Sequence, residues 1–102
     1  MNNRQIIDNN INMLMSSYFK CKRLECGLTG KQMGQLLCKS QQHISRYELN
    51  QSSIPLDEMV FFLKTYNFNL NDFFDYILAG ISLSEAESNT NNHHCAQKKQ
   101  TG

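Results

Sequence analysis

The chain has 102 residues, of which 40% are hydrophobic, so it can form one small domain with a modest core. Its formal net charge of +1 excludes a strongly basic or strongly acidic protein. Apolar runs such as residues 13–15 are too short to span a bilayer, and the N-terminal residues do not resemble a secretory signal. We therefore expect a single cytoplasmic domain that does not contact a membrane.

The spacing of the apolar residues predicts helices, and no segment alternates apolar and polar residues for long enough to predict a sheet. The first predicted helix covers residues 6–24 and ends at Gly27, a typical C-terminal cap. Two short helices follow at residues 30–37 and 41–49. Thr29 and Ser40 precede them, and each hydroxyl oxygen can accept a hydrogen bond from a free N–H group of the first helical turn.

Two further helices are predicted in the second half of the chain. One covers residues 55–66 and begins with Pro55, and the other covers residues 70–78 and ends at Gly80. The polar residues 81–102 have almost nothing to bury, so we predict a disordered tail there. The fold class is therefore all-α, with an N-terminal extension (1–15), a five-helix domain (16–80) and the tail (81–102).

Charge is distributed unevenly along the chain. Residues 20–46 contain six basic side chains and one acidic side chain, which gives +5, whereas residues 47–87 contain one basic and seven acidic side chains, which gives −6. A positive surface with a negative surface behind it suits a protein that binds a polyanion such as DNA. The alternative is two ordinary solvated surfaces.

The predicted helix 41–49 has one apolar side, with Ile44 and Tyr47, and one polar side. Amide and guanidinium groups can form paired hydrogen bonds with base edges in the major groove of DNA. The residues of the polar side are Gln41, Gln42, Ser45 and Arg46.

Three features of this region resemble a known family: residues 27–29 (GLT), the small Gly34, and residues 40–48 (SQQHISRYE). Over residues 18–74 the chain is similar to helix-turn-helix domains of the phage repressor and Cro type, also called the XRE family. Within that family, the pattern GLTGKQ…SQQ…ISRYE is most similar to small regulators encoded with bacterial fimbrial operons. This narrower resemblance implies control of fimbrial and motility genes.

The family resemblance implies a repressor-type domain that binds duplex DNA, with helix 41–49 lying in the major groove. The base-reading candidates are the four polar-side residues Gln41, Gln42, Ser45 and Arg46. The phosphate-binding candidates are Thr29, Lys31, Lys39, Ser40, Asn50 and Ser52. The His43 side chain could point to DNA, to solvent or against the neighbouring helix. Glu48 is expected to anchor Arg23 or a helix end.

Three positions depart from the family pattern. Gly30 stands where the family usually has a phosphate-binding Gln, and neighbouring Lys31 could take over that contact. Cys38 stands at a turn position that is usually Gly, where a residue with a Cβ is strained if the backbone is left-handed. Lys39 replaces a residue that is often apolar.

The apolar stripe of residues 6–15 has no obvious partner within a five-helix core. Because an exposed amphipathic helix needs a partner, we expect a homodimer that binds an approximate inverted repeat. The alternative is that the extension folds back on its own domain. The candidate interface residues are Ile7, Ile11, Leu14, Phe73 and Tyr76.

The four cysteines have no CxxC spacing and are expected to be free thiols, with redox control through Cys38 left open. Residues 93–95 (HHC) have no second ligand group at zinc-finger spacing, so we expect no metal, no cofactor and no small-molecule ligand.

Three other readings remain. A DNA-binding antitoxin or phage-type repressor shares the fold, but the tail lacks apolar anchors for wrapping a toxin. A helical interaction module without DNA binding would not need the glutamines, Arg46 and the +5 segment. An enzyme is not expected, since no arrangement of nucleophile, base or paired carboxylates is found.

Overall fold

The computed structural model describes residues 3–86, with side chains over residues 6–81, and this part of the chain is built from five α-helices without a strand. The predicted all-α class and the order of its helices are confirmed. The helices are α1 (Asn3–Glu25), α2 (Gly30–Leu37), α3 (Gln41–Glu48), α4 (Leu56–Thr65) and α5 (Leu70–Ala86).

The end of α1 and the start of α2 follow from the local sequence. Gly27 has φ +74° and allows the chain to turn after α1, where the Leu28 N–H donates to the Arg23 carbonyl at 3.1 Å. Thr29 then opens α2 with a capping box: its hydroxyl accepts from the Gln32 N–H at 3.0 Å, and the Gln32 side chain accepts from the Thr29 N–H at 2.9 Å.

Helix α4 begins one residue later than predicted, because Pro55 has extended backbone angles and forms the cap. Asn67, at φ +58°, occupies the left-handed turn after α4. The short side chain of Asn69 opens α5 by accepting from the Asn71 N–H at 2.7 Å.

The predicted end of α5 at Gly80 is wrong. The helix continues to Ala86, and Gly80 is buried inside it, where a Cβ would lie 2.5 Å from the Leu14 Cδ2 atom of α1. Glycine at this position lets the two helices approach closely instead of ending one of them. Residues 81–86 of the predicted tail are therefore helical, and residues 87–102 lie outside the described residues.

The core lies where α1 packs on α5 and α3, with α2 packed on α3 and α4. Each helix contributes to it, although Leu56 at the start of α4 remains 52% exposed. The largest fully buried side chains are Tyr47, Phe19, Phe62, Phe73, Met33, Ile44, Met59 and Leu63.

The N-terminal extension is part of α1 and packs against its own domain. Ile11 packs against the core, Met15 belongs to it, and Leu14 contacts Gly80. The expectation that this stripe has no partner in its own chain is therefore wrong for Ile11, Leu14 and Met15. Ile6 and Ile7 remain 46% and 40% exposed.

Two further predictions can be compared with the described residues. Cys26 and Cys38 carry free thiols, as predicted. Within residues 3–86, no helix is both long enough and apolar enough to cross a membrane.

Candidate nucleic-acid interface

Helix α3 has the two-sided character that its sequence predicts. Ile44 and Tyr47 are buried in the core, and the His43 ring lies edge-on to the Tyr47 ring with centroids 4.8 Å apart. Positions 41, 42, 45 and 46 share the opposite side of the helix. The side chains exposed there are Gln41, Gln42, Ser45 and Arg46.

The turn before α3 is short and sterically constrained. Cys38 adopts the left-handed conformation at φ 59°, and the Lys39 N–H donates to the Gly34 carbonyl at 2.8 Å. A Cβ on Gly34 would lie 2.5 Å from the Lys39 carbonyl oxygen. Glycine at position 34 is therefore what allows the turn to close against α2. Ser40 then caps α3 by accepting from the His43 N–H at 3.0 Å.

Tyr47 fixes one end of α3 to two other helices. Its hydroxyl donates to Glu58 Oε1 of α4 at 2.7 Å, and its carbonyl accepts from Ser16 Oγ of α1 at 2.7 Å. Burial, followed by the hydrogen bond to Glu58, raises the pKa of Tyr47, so the phenol stays protonated and remains a donor. These bonds hold α3 at a fixed position on the core.

Glu48 gives α3 a second attachment, as predicted. Its carboxylate accepts two hydrogen bonds from Arg23 of α1, from Nε at 2.6 Å and from Nη2 at 3.0 Å. Arg23 Nη1 also donates to the Leu28 carbonyl at 2.7 Å, so one guanidinium joins α1, the loop before α2 and α3. The hydrogen bond from Arg23 places Glu48 in a structural role and raises the pKa of Arg23.

The first turns of α2 and α3 lie side by side. A Cβ on Gly30 would lie 3.6 Å from Gln41 Cγ, so the free N–H groups of both helix starts are on one part of the surface. Thr29 and Ser40 use their hydroxyl oxygens as acceptors within the caps, which leaves each O–H proton free to donate to another group. Lys31 is exposed beside them.

The loop after α3 holds the remaining candidates. Asn50 is exposed at φ +61°, and the partly buried Ser52 donates its N–H to the Arg46 carbonyl at 3.3 Å. Asn50 and Ser52 therefore lie at the C-terminal end of α3, away from the paired helix starts.

The basic segment 20–46 is less available to an anion than its charge of +5 suggests. Three of its six basic side chains form ion pairs: Lys22 with Glu25 at 3.3 Å, Arg23 with Glu48, and Lys39 with Glu58 at 3.2 Å. Lys22 is also buried between the rings of Tyr18 and Phe68. The exposed basic residues of this segment are Lys20, Lys31 and Arg46.

The structure does not bring the residues predicted for the dimer interface together on one exposed surface. Phe73 is only 1% exposed and packs in the core, and Tyr76 is partly buried with its ring 5.1 Å from that of Tyr18. Ile11 and Leu14 pack within the chain, which leaves Ile7 as the exposed member of the set.

Sequence reasoning missed two residues that position α3, Ser16 and Glu58. Ser16 carries no signal in its spacing, because its partner Tyr47 is distant along the chain. The sequence does give a signal for Glu58, because a carboxylate in the first turn of α4 suggests a favourable interaction with that helix end. In the structure Glu58 instead contacts Tyr47 of α3 and Lys39 of the turn before α3.

A protein-family model described as Helix-turn-helix matches residues 20–73, which is more than half of the chain. The chain therefore belongs to the helix-turn-helix family, in its XRE-type branch, and is a DNA-binding regulator of that type. No curated protein and no solved structure gives a match.

Proposed function

We propose that this protein is a sequence-specific transcriptional regulator that places α3 in the major groove of duplex DNA. The observation that carries this proposal is the exposed polar side of α3, on a helix fixed to α1 and α4 through Tyr47 and Glu48. A rigid helix with amide and guanidinium groups facing outward is suited to direct recognition of base edges.

Each end of the polar side has a distinct role. Gln41 and Gln42, in the first turn of α3, contact base edges, with adenine as the natural partner of a paired amide contact. Ser45 and Arg46 follow one turn later, where Arg46 reads guanine or holds a phosphate. Thr29, Lys31, Lys39 and Ser40 bind phosphates around the paired helix starts, and Asn50 and Ser52 do so from the following loop.

We further propose that the protein acts as a homodimer in the cytoplasm. Its two recognition helices would lie about 34 Å apart on one face of an approximate inverted repeat. Exposed apolar residues on α1 support this assembly, since Ile6, Ile7 and Met13 are at least 40% exposed. Phe73 is excluded from the proposed interface because it is buried.

The regulated genes are proposed from the resemblance to fimbrial-operon regulators. That resemblance rests on the pattern GLTGKQ…SQQ…ISRYE and points to fimbrial and motility genes. The promoter beside the protein's own gene is therefore the first duplex to use.

Fluorescence anisotropy across a salt series tests the proposal, with that promoter duplex, a scrambled duplex of the same composition, and two variants. Gln42→Ala should weaken binding to the promoter by about 1–3 kcal/mol and reduce discrimination from the scrambled duplex. Lys31→Ala should weaken binding to both duplexes alike and reduce the salt slope by about one.

Equal losses on matched and scrambled duplexes for Gln42→Ala would remove its base-reading role. Absence of binding to any duplex at low salt would overturn the proposed function. Sedimentation of the free protein and of its DNA complex tests the homodimer, which a monomeric complex on a full inverted repeat would contradict.

A further inference from the structure

The ion pair between Lys39 and Glu58 connects the proposed DNA-binding surface to a helix outside the helix-turn-helix motif. Lys39 lies between Cys38, the C-cap of α2, and Ser40, the N-cap of α3, two positions before Gln41. Its Nζ atom is 3.2 Å from Glu58 Oε2 in the first turn of α4. A side chain that is proposed to hold phosphate thus already has an anionic partner.

The geometry allows Lys39 to exchange that partner. Its side chain is 31% exposed, so the ammonium group is accessible to a second anion. Lysine carries a compact charge on a flexible four-carbon stem, which can rotate toward a phosphate while the backbone of the turn stays fixed. An ion pair at this exposure is also weak enough to be broken by a competing anion.

Glu58 does not need Lys39 to hold its own position. Its other oxygen, Oε1, accepts the hydrogen bond from the Tyr47 hydroxyl at 2.7 Å. The carboxylate therefore stays hydrogen-bonded to Tyr47 of α3 when Lys39 leaves it, and no main-chain movement is required.

We infer that Glu58 sets the affinity of the protein for DNA by retaining Lys39 in the free protein and releasing it to a phosphate in the complex. This inference rests on the proposed function, since it requires the turn before α3 to face DNA. Glu58 touches no DNA itself, so it acts through Lys39.

The experiment measures the affinity of full-length protein for the promoter duplex and the scrambled duplex over a salt series. The variant Glu58→Gln removes the charge but keeps a carbonyl oxygen to accept from Tyr47. It should bind both duplexes about two- to fivefold more tightly with an unchanged salt slope, because Lys39 contacts the same phosphate without first leaving an ion pair. Lys39→Ala should reduce the slope by about one.

Two controls separate the ion pair from the general effect of removing a negative charge. Asp57→Asn removes a neighbouring exposed carboxylate that forms no ion pair with Lys39 among the described residues, and it should raise the affinity less than Glu58→Gln does. In the Lys39→Ala background, Glu58→Gln should have no more effect than Asp57→Asn.

The inference is overturned if wild-type protein binds DNA but Lys39→Ala leaves the salt slope unchanged, because Lys39 then stays with Glu58 in the complex. It is also overturned if Glu58→Gln and Asp57→Asn have equal effects. Should Glu58→Gln fail to fold, an unchanged salt slope for Lys39→Ala still overturns the inference. Absence of binding by the wild-type protein contradicts the proposed function instead.

Discussion

At the scale of single residues, the two glycines of α2 have different roles although both lie near the turn before α3. Gly34 faces the carbonyl of Lys39 at a distance that excludes a Cβ, whereas Gly30 has ordinary space beside Gln41. The backbone oxygen of Lys39 cannot yield as a flexible side chain could, because the same residue's N–H is bonded back to the Gly34 carbonyl. Position 34 therefore requires glycine on steric grounds.

We predict that Gly34→Ala lowers the free energy of unfolding by about 1–3 kcal/mol through overpacking of the turn. Gly30→Ala is the matched control and should be neutral or stabilising by up to about 1 kcal/mol, because alanine reduces the conformational freedom of the unfolded chain. Urea unfolding followed by circular dichroism measures both values. Equal effects of the two substitutions would show that the contact at Gly34 relaxes freely.

At the scale of helices, the helix-turn-helix segment could be predicted from sequence because its signals are local. Each signal lies within a few residues of the helix end that it defines. The signals are the cap of Thr29 with Gln32, the cap of Ser40 with His43, and the turn at Gly27. The polar side of α3 follows from the helical repeat alone. The starts of α2 and α3 were therefore predicted correctly.

The contacts that sequence did not predict all join distant parts of the chain. Gly80 reads as a helix end in isolation, and only the approach of Leu14 explains why it lies inside α5. Ser16 and Glu58 likewise acquire their roles from Tyr47. The available basic surface was overestimated for the same reason, since two of the three ion pairs cross between helices or segments distant in sequence.

The attachment of α3 to α1 through Arg23 and Glu48 leads to a prediction at the same scale. These side chains are only 13% and 9% exposed, so removing one leaves the other charge poorly solvated. Arg23→Met should therefore destabilise the protein by roughly 3–5 kcal/mol. The double variant Arg23→Met, Glu48→Met should recover most of that loss, because no charge remains buried. Thermal unfolding measures both, and a double variant as unstable as Arg23→Met would contradict this account.

At the scale of the whole molecule, buried phenols couple stability to alkaline pH. Burial is the main cause that raises the pKa of Tyr18, assisted by Asp72, and also the main cause that raises the pKa of Tyr47. Tyr18 Oη has no hydrogen-bond partner among the described residues. Both phenols therefore stay protonated in the folded protein at a pH where they ionise in the unfolded chain.

The sign of the effect follows from proton binding. Each raised pKa contributes stability that is present below the unfolded value of about 10 and is lost as pH rises, because the unfolded chain then binds fewer protons. We predict a loss of about 1.4 kcal/mol per tyrosine between pH 9 and pH 11. The Tyr18→Phe variant should lose about 1.4 kcal/mol less stability than the wild type over this pH range. Urea unfolding at each pH measures both free energies of unfolding. Parallel pH profiles for the variant and the wild type would contradict the assignment.

The contact between Leu14 and Gly80 also bears on how the protein is made. Its two residues belong to the first and last described helices, so the contact closes a loop that contains most of the described chain. During synthesis α1 leaves the ribosome before α5, so the apolar stripe of α1 is covered only after α5 has been made. Local helices can form meanwhile, but this long-range closure is entropically costly and favours a late step in folding. A nascent chain that stops before α5 would therefore expose residues 11–15 to chaperones.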